Sequence, residues 1–198
     1  DMCAEGLEFH SGNGTLCLIG DFDKEQVKFE RETESAIDYG LDFYASQTTE
    51  TKDGRRIMIA WMQSWDNYNT PGEFRWSGQM TVPRELHIKN GRLYQLPVKE
   101  LENYYANTVN YKDVIVHEAM ELEGVSGREI DMTIDIQAGD YEEFRIQLAK
   151  NQKFYTEISY NAKKGILTFD RNHAGSRRDF ICQRSMKVES QDGKIRLR

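Results

Sequence analysis

Cysteine is scarce in this chain: Cys3, Cys17 and Cys182 are the only three in 198 residues. Their odd number and wide spacing exclude a small disulfide-stapled scaffold, and they read as reduced thiols, buried or inert. No apolar run approaches the roughly 18 residues that span a bilayer, so no transmembrane helix is expected, and no membrane partner. Basic charge is in deficit, with 26 Lys and Arg against 33 Asp and Glu and a net charge of −7. Phosphate backbones need a basic face, so nucleic acid is not an expected partner. The one local basic cluster, Arg171, Arg177, Arg178 and Arg184, reads as a solvated β-surface. Metal-ligand spacing is missing from His10, His87, His117 and His173, and no metal site is expected. Asp21 and Asp23 share a strand face without forming a calcium loop. Gly175-Ser176 lacks the flanks of a nucleophile elbow, and no glycine-rich phosphate loop occurs. No cofactor is expected.

What the chain has is strands and turns. At this length it can bury a core as one large domain or two small ones. Asn13-Gly14 lies between Leu7-Glu-Phe9 and Leu16-Cys-Leu-Ile19, and Asp53-Gly54 precedes Arg56-Ile-Met-Ile-Ala-Trp61. Asn90-Gly91 separates Glu85-Leu-His-Ile88 from Leu93-Tyr-Gln-Leu96, and Asp192-Gly193 separates Met186-Lys-Val188 from Ile195-Arg-Leu197. Each is a two-residue hairpin signal, because Asn-Gly and Asp-Gly accept the positive φ of a type I′ turn. Ile130, Met132, Ile134 and Ile136 alternate with Asp131, Thr133 and Asp135, the pattern of a half-buried antiparallel strand. Phe144–Leu148 alternates likewise, and Phe154–Tyr160 is expected to pair with Ile166–Phe169 through the Asn161–Gly165 turn. One short helix is predicted over Val98–Tyr105, after Pro97, where aromatic, irregular sequence gives way to regular strands.

Three blocks carry more than fold. They are Asp38-Tyr-Gly-Leu-Asp-Phe-Tyr-Ala-Ser-Gln47, Ile57-Met-Ile-Ala-Trp-Met-Gln-Ser-Trp65 and Trp76-Ser-Gly-Gln-Met-Thr-Val-Pro-Arg-Glu-Leu86. In this order they resemble glycoside hydrolase family 32, the β-fructofuranosidases that include invertases, sucrose-6-phosphate hydrolases, levanases and inulinases. The resemblance implies an all-β chain: the end of a five-bladed β-propeller followed by a β-sandwich, truncated at both ends. It implies propeller over residues 1–96, a linker helix over 97–107 and an incomplete sandwich over 108–198. The implied activity is retaining hydrolysis of sucrose, sucrose-6-phosphate or a fructan, by a nucleophilic carboxylate and a protonated acid about 5–5.5 Å apart.

The acids themselves are not here. The family places them in Asn-Asp-Pro, Arg-Asp-Pro and Glu-Cys motifs, none of which occurs in this sequence. Glu5 in the opening Asp1-Met-Cys-Ala-Glu-Gly6 reads as a loop carboxylate, so no catalytic residue is assigned and the chain alone is expected to be inactive. The resemblance does carry over a pocket wall. Tyr44 matches a tyrosine near the nucleophile, where a phenol holds a carboxylate ionised. Trp65 matches a tryptophan that lines the sugar pocket, its face suited to sugar C–H groups. Asp42, two residues from Tyr44, is the third candidate for substrate contact. Trp61 and Trp76 read as packing residues, and Arg84-Glu85 as a semi-buried charge pair. Few cysteines and no signal-peptide pattern favour the cytoplasmic branch, although the chain opens on Asp1 and an upstream targeting segment stays open. Two other readings stand beside this one. A carbohydrate-binding or structural β-module could present Tyr155 or Tyr160 as a platform, and a propeller-like scaffold could serve protein contacts.

Overall fold

The Asn90-Gly91 turn shows how the sheets are made. Asn90 and Gly91 take φ of 52° and 67°, the left-handed pair that a type I′ turn demands and that matches the twist of the strands it joins. On either side, β5 (Arg84–Lys89) and β6 (Arg92–Pro97) pair antiparallel from Lys89↔Arg92 to Arg84↔Pro97. The structure, a computed structural model, describes residues 14–62, 75–76, 78–137, 139–175 and 182–198. Cys3, Glu5, His10, Asn13, Trp65, Ser176, Arg177 and Arg178 lie outside the described residues.

The described elements are antiparallel strands and one short 3-10 helix, so the chain is all-β. The remaining strands are β1 (Leu16–Asp23), β2 (Lys28–Ala36), β3 (Tyr44–Glu50), β4 (Arg56–Trp61), β7 (Ile134–Gln137), β8 (Glu143–Leu148), β9 (Thr156–Asn161), β10 (Ile166–Asp170), β11 (Gln183–Lys187) and β12 (Lys194–Leu197). They form four-stranded sheets in the orders β3-β4-β5-β6 and β11-β10-β9-β8, and two-stranded ribbons β1-β2 and β12-β7. The helical pattern after Pro97 is realised as a 3-10 helix over Lys99–Tyr104.

Two compact units result, and they do not follow chain order. One holds the described residues up to Val98 together with Asp140–Glu189, and the other holds Lys99–Gly139 with Ser190–Arg198. In the first unit the apolar face of β4 builds the core, where Met58 and Ala60 pack with Phe43, flanked by Ile37 and Leu86. The alternation Leu41-Asp42-Phe43-Tyr44 buries Leu41 and Phe43 and leaves Asp42 and Tyr44 half-buried. In the same unit the β9–β10 hairpin closes as its sequence predicts: Gly165 N–H donates to Asn161 O at 2.9 Å and Lys164 N–H to Asn161 Oδ1 at 2.9 Å.

Several local expectations are corrected. The Asp192-Gly193 turn forms, with Asp192 at φ 50° and Gln191 bridged to Lys194, but β12 does not pair back onto β11. It pairs with β7 instead, Ile195 opposite Ile136 and Leu197 opposite Ile134. Apolar complementarity, plus the Arg196–Asp135 ion pair at 2.6 Å across the ribbon, selects the partner that the turn alone leaves open. The strand read over 130–136 shortens to β7, and Ile130 is exposed. Trp76 is exposed as well and does not pack between strands. Arg171 and Arg184 leave the supposed solvated surface, since Arg184 is buried on β11 and Arg171 is ion-paired and only a quarter exposed. Tyr160 is buried and offers no platform to a glycan. Tyr155 stacks on His173 with ring centroids 4.8 Å apart.

Candidate functional site

The three sequence blocks become neighbouring strands. Tyr44, first residue of β3, sits opposite Trp61, last residue of β4, with ring centroids 6.3 Å apart and planes tilted by 56°. Trp61 in turn is bridged to Met80, and Met62 N–H donates to Gln79 O at 2.7 Å, so the third block continues the sheet. Residues spaced widely in sequence thus form the row Tyr44–Trp61–Met80.

The backbone breaks its regular ladder at this row. Tyr44 pairs with Trp61, but the next pair is Gln47 with Ile59. Ala45 and Ser46 therefore oppose Ala60 alone, and Ala45 takes φ of 48°. A bulge of this kind bends the strand and re-aims the adjacent side chain, and a non-glycine residue in the left-handed region marks a position over-determined by its surroundings. Tyr44 is the residue that borders this bulge.

Two guanidinium groups brace the segment that leads into Tyr44. Arg84 on β5 lies 2.8 Å from Asp38 Oδ2, covers the Phe43 ring at 4.9 Å and donates to Gln95 Oε1 at 3.1 Å. Gln95 Nε2 donates to Ile37 O at 2.7 Å, closing the network on the same segment. Arg171, just past β10, donates from Nη1 to Asp42 Oδ2 at 2.7 Å. These partners differ from the Arg84-Glu85 pair read in the sequence. Consecutive strand residues point to opposite faces, so Arg84 turns to Asp38 while Glu85 meets Arg55 at 3.3 Å and His87 at 3.1 Å.

Of the sequence-predicted contact residues, the fold places Tyr44 and Asp42 on one short segment beside Trp61, and Trp65 lies outside the described residues. Sequence reading took Arg171 for part of a solvated basic surface and did not single out Thr81. Arg171 is 129 residues from its carboxylate, and no local pattern announces such a pairing. Thr81, buried and hydrogen-bonded to Ala60, falls within the third block but carries no signal of its own. A phenol, an indole and a charge-compensated carboxylate can accept and donate hydrogen bonds to hydroxyls and stack on an apolar sugar face.

Comparison with known proteins gives this row of residues its context. The N-terminal domain model of glycosyl hydrolases family 32 matches residues 1–97, and the C-terminal model matches residues 100–198. The sucrose-6-phosphate hydrolase of Staphylococcus xylosus is 30% identical over 173 residues, covering 87% of this chain and 35% of that protein. The raffinose invertase of Escherichia coli is 36% identical over 157 residues, covering 79% of this chain and 33% of that protein. The chain spans about a third of the length of these curated relatives. The solved structure of the sucrose-6-phosphate hydrolase from Lactobacillus gasseri superposes with a TM-score of 0.69 at 23% identity, over 88% of this chain and 36% of that one. That likeness is one of fold, and it supports a β-propeller and β-sandwich architecture. On both domain models and on these relatives, the chain belongs to glycosyl hydrolases family 32.

Proposed function

We propose that these residues serve a retaining β-fructofuranosidase that hydrolyses sucrose or sucrose-6-phosphate, and that they supply part of its pocket wall. The row Tyr44–Trp61–Met80, which assembles the three sequence blocks at a strand bulge, is the observation that carries this reading. Relatives named sucrose-6-phosphate hydrolase and raffinose invertase support the substrate class. In this reading Tyr44 orients the nucleophilic carboxylate, Trp65 stacks on the fructosyl ring, and Asp42 is the polar edge of the wall. The reacting acids belong to the family's Asn-Asp-Pro, Arg-Asp-Pro and Glu-Cys motifs, which this sequence does not contain. Residues 1–96 then close a five-bladed propeller, 97–107 form the linker, and 108–198 belong to the sandwich. A cytoplasmic location suits the low cysteine content.

The test is an assay of fructose release from sucrose, sucrose-6-phosphate and inulin. The open reading frame that holds these residues is compared with the 198-residue chain alone. The reading frame should release fructose, and the chain alone should not, because loss of both carboxylates leaves no nucleophile and no acid. Turnover by the purified chain alone would refute the assignment of the acids. Inulin cleaved in preference to both sucrose substrates would shift the specificity to fructans.

A further inference from the structure

We infer that Arg171 is a positioning residue for the fructoside site, acting through Asp42 on Tyr44, an inference that rests on the function proposed above. The base of Arg171 is held by hydrogen bonds. Its backbone N–H donates to Cys182 O at 2.7 Å, its carbonyl accepts from Ala174 N–H at 2.9 Å, and Asp170 Oδ1 accepts from Asn172 N–H at 2.6 Å. The same turn is pinned to Tyr155, the residue before β9, whose N–H donates to His173 O at 3.0 Å while its ring stacks on the His173 ring. From this base the guanidinium reaches Asp42 at 2.7 Å, with side chains only 23% and 14% exposed. An ion pair this shielded is screened little by water, so it acts as a tether and not as surface decoration.

The tether is attached where movement matters. Asp42 is separated from Tyr44 by Phe43 alone, and Phe43 is locked in the core under Arg84. Arg84 fixes the near end of the segment at Asp38, Arg171 fixes the far end at Asp42, and the strained bulge at Ala45 follows at once. Release at Asp42 leaves the path into Tyr44 held from one side. A phenol displaced by about 1 Å from a reacting carboxylate can lower turnover 100-fold while leaving binding by other groups intact. Residues matched by the family's C-terminal model thus set the geometry of a side chain in its N-terminal model, which assigns the second region a part in turnover as well as in stability.

The experiment uses the open reading frame that holds these residues, with sucrose as substrate and Arg171→Met, Arg171→Lys, Asp42→Asn and the double variant R171M/D42N. Turnover is expressed per folded molecule, with folding checked by near-UV circular dichroism. R171M is expected to lower kcat about 10- to 100-fold, with KM changed by less than about threefold. R171K should recover part of the loss, and the double variant should be no worse than the poorer single variant, as for two ends of one tether. Should R171M fail to fold, the nearly isosteric D42N carries the same expectation for kcat. Wild-type kcat per folded molecule in R171M or D42N, or additive losses in the double variant, would overturn this inference alone. No fructose release by the wild-type protein from sucrose, sucrose-6-phosphate or inulin would overturn the proposed function, and the inference with it.

Discussion

Thr81 and Ala60 hold each other by two hydrogen bonds. The Ala60 N–H donates to Thr81 Oγ1 at 3.1 Å, and the Thr81 N–H donates to Ala60 O at 2.9 Å. Ala60 is fully buried and Thr81 nearly so, and the pair bolts the second sequence block to the third one residue from the Trp61–Met80 bridge. Replacing the hydroxyl by a methyl strands a buried amide. Thr81→Val should therefore destabilise the chain by about 1–3 kcal/mol, while Thr81→Ser keeps the acceptor and loses roughly 1 kcal/mol of methyl burial. Urea midpoints of the two variants and of the unsubstituted chain check this, and a Thr81→Val midpoint equal to that of the unsubstituted chain would show that the hydroxyl contributes nothing.

A different chemistry governs the second unit. Asp131 accepts from Arg198 Nε at 3.0 Å and Nη2 at 2.8 Å, and also from the Tyr105 hydroxyl. The guanidinium, then the phenol, hold the Asp131 carboxyl below its usual range, and Asp135 is held low by Arg196. A depressed folded value stabilises above the unfolded pKa of about 4 and loses that stabilisation as pH falls through the folded value. Tyr105 shows the opposite sign. Its hydrogen bond to Asp131 raises its pKa, so its contribution is present below about pH 10 and fades as pH rises through the folded value. Denaturant titrations from pH 7 down to about pH 3 should reveal the acid-side loss, and Asp131→Asn should flatten it. An unchanged acid limb in D131N would show that this clasp does not contribute to stability.

How far the sequence reached depended on whether the signal was local. Hairpins at Asn90-Gly91 and Asn161–Gly165 were legible because turn chemistry and apolar alternation agree there. The strand β2 was not, since Lys28–Ala36 is charged and exposed almost throughout and offers no alternation to read. The partner of β12 was missed because a turn signal says where a chain reverses and not which strand it joins. At the candidate site, the three blocks pointed to Tyr44 and Asp42, whereas Arg171 and Thr81 make their contacts across long sequence separations. Such pairings exist only once the sheets are assembled.

Gly20 offers a test of a close approach that no side chain could fill. The β1–β2 register shifts between Ile19 and Gly20, where Glu32 is the extra residue. A Cβ at Gly20 would lie 2.0 Å from Glu30 O and 2.9 Å from the Arg31 Cα, both backbone atoms. The neighbour is backbone and has no rotamer to change, so the ribbon itself must shift. Gly20→Ala should destabilise by about 1–3 kcal/mol, the usual range for overpacking. Hydrogen exchange across β1 and β2 would localise the effect, and unchanged protection there would contradict the bulge.

Tyr160 separates a structural role from a binding role on β9. The residue is 3% exposed, and its hydroxyl donates to Val188 O at 3.2 Å, tying β9 to the chain just past β11. Val188 N–H in turn donates to Gly165 O at 2.8 Å, so the hydroxyl reinforces a contact that the backbone already makes. Tyr160→Phe retains the ring and removes one hydrogen bond, a loss of about 0.5–1.5 kcal/mol. Tyr160→Ala opens a cavity and should lose about 3–5 kcal/mol, as large aromatic truncations do. Neither variant should change sugar affinity per folded molecule, because the buried ring presents no face to a ligand. Calorimetric titration of the phenylalanine variant with sucrose and levan decides the point: weakened binding with an intact fold would restore Tyr160 as a contact residue and revive a carbohydrate-binding module in place of a pocket wall.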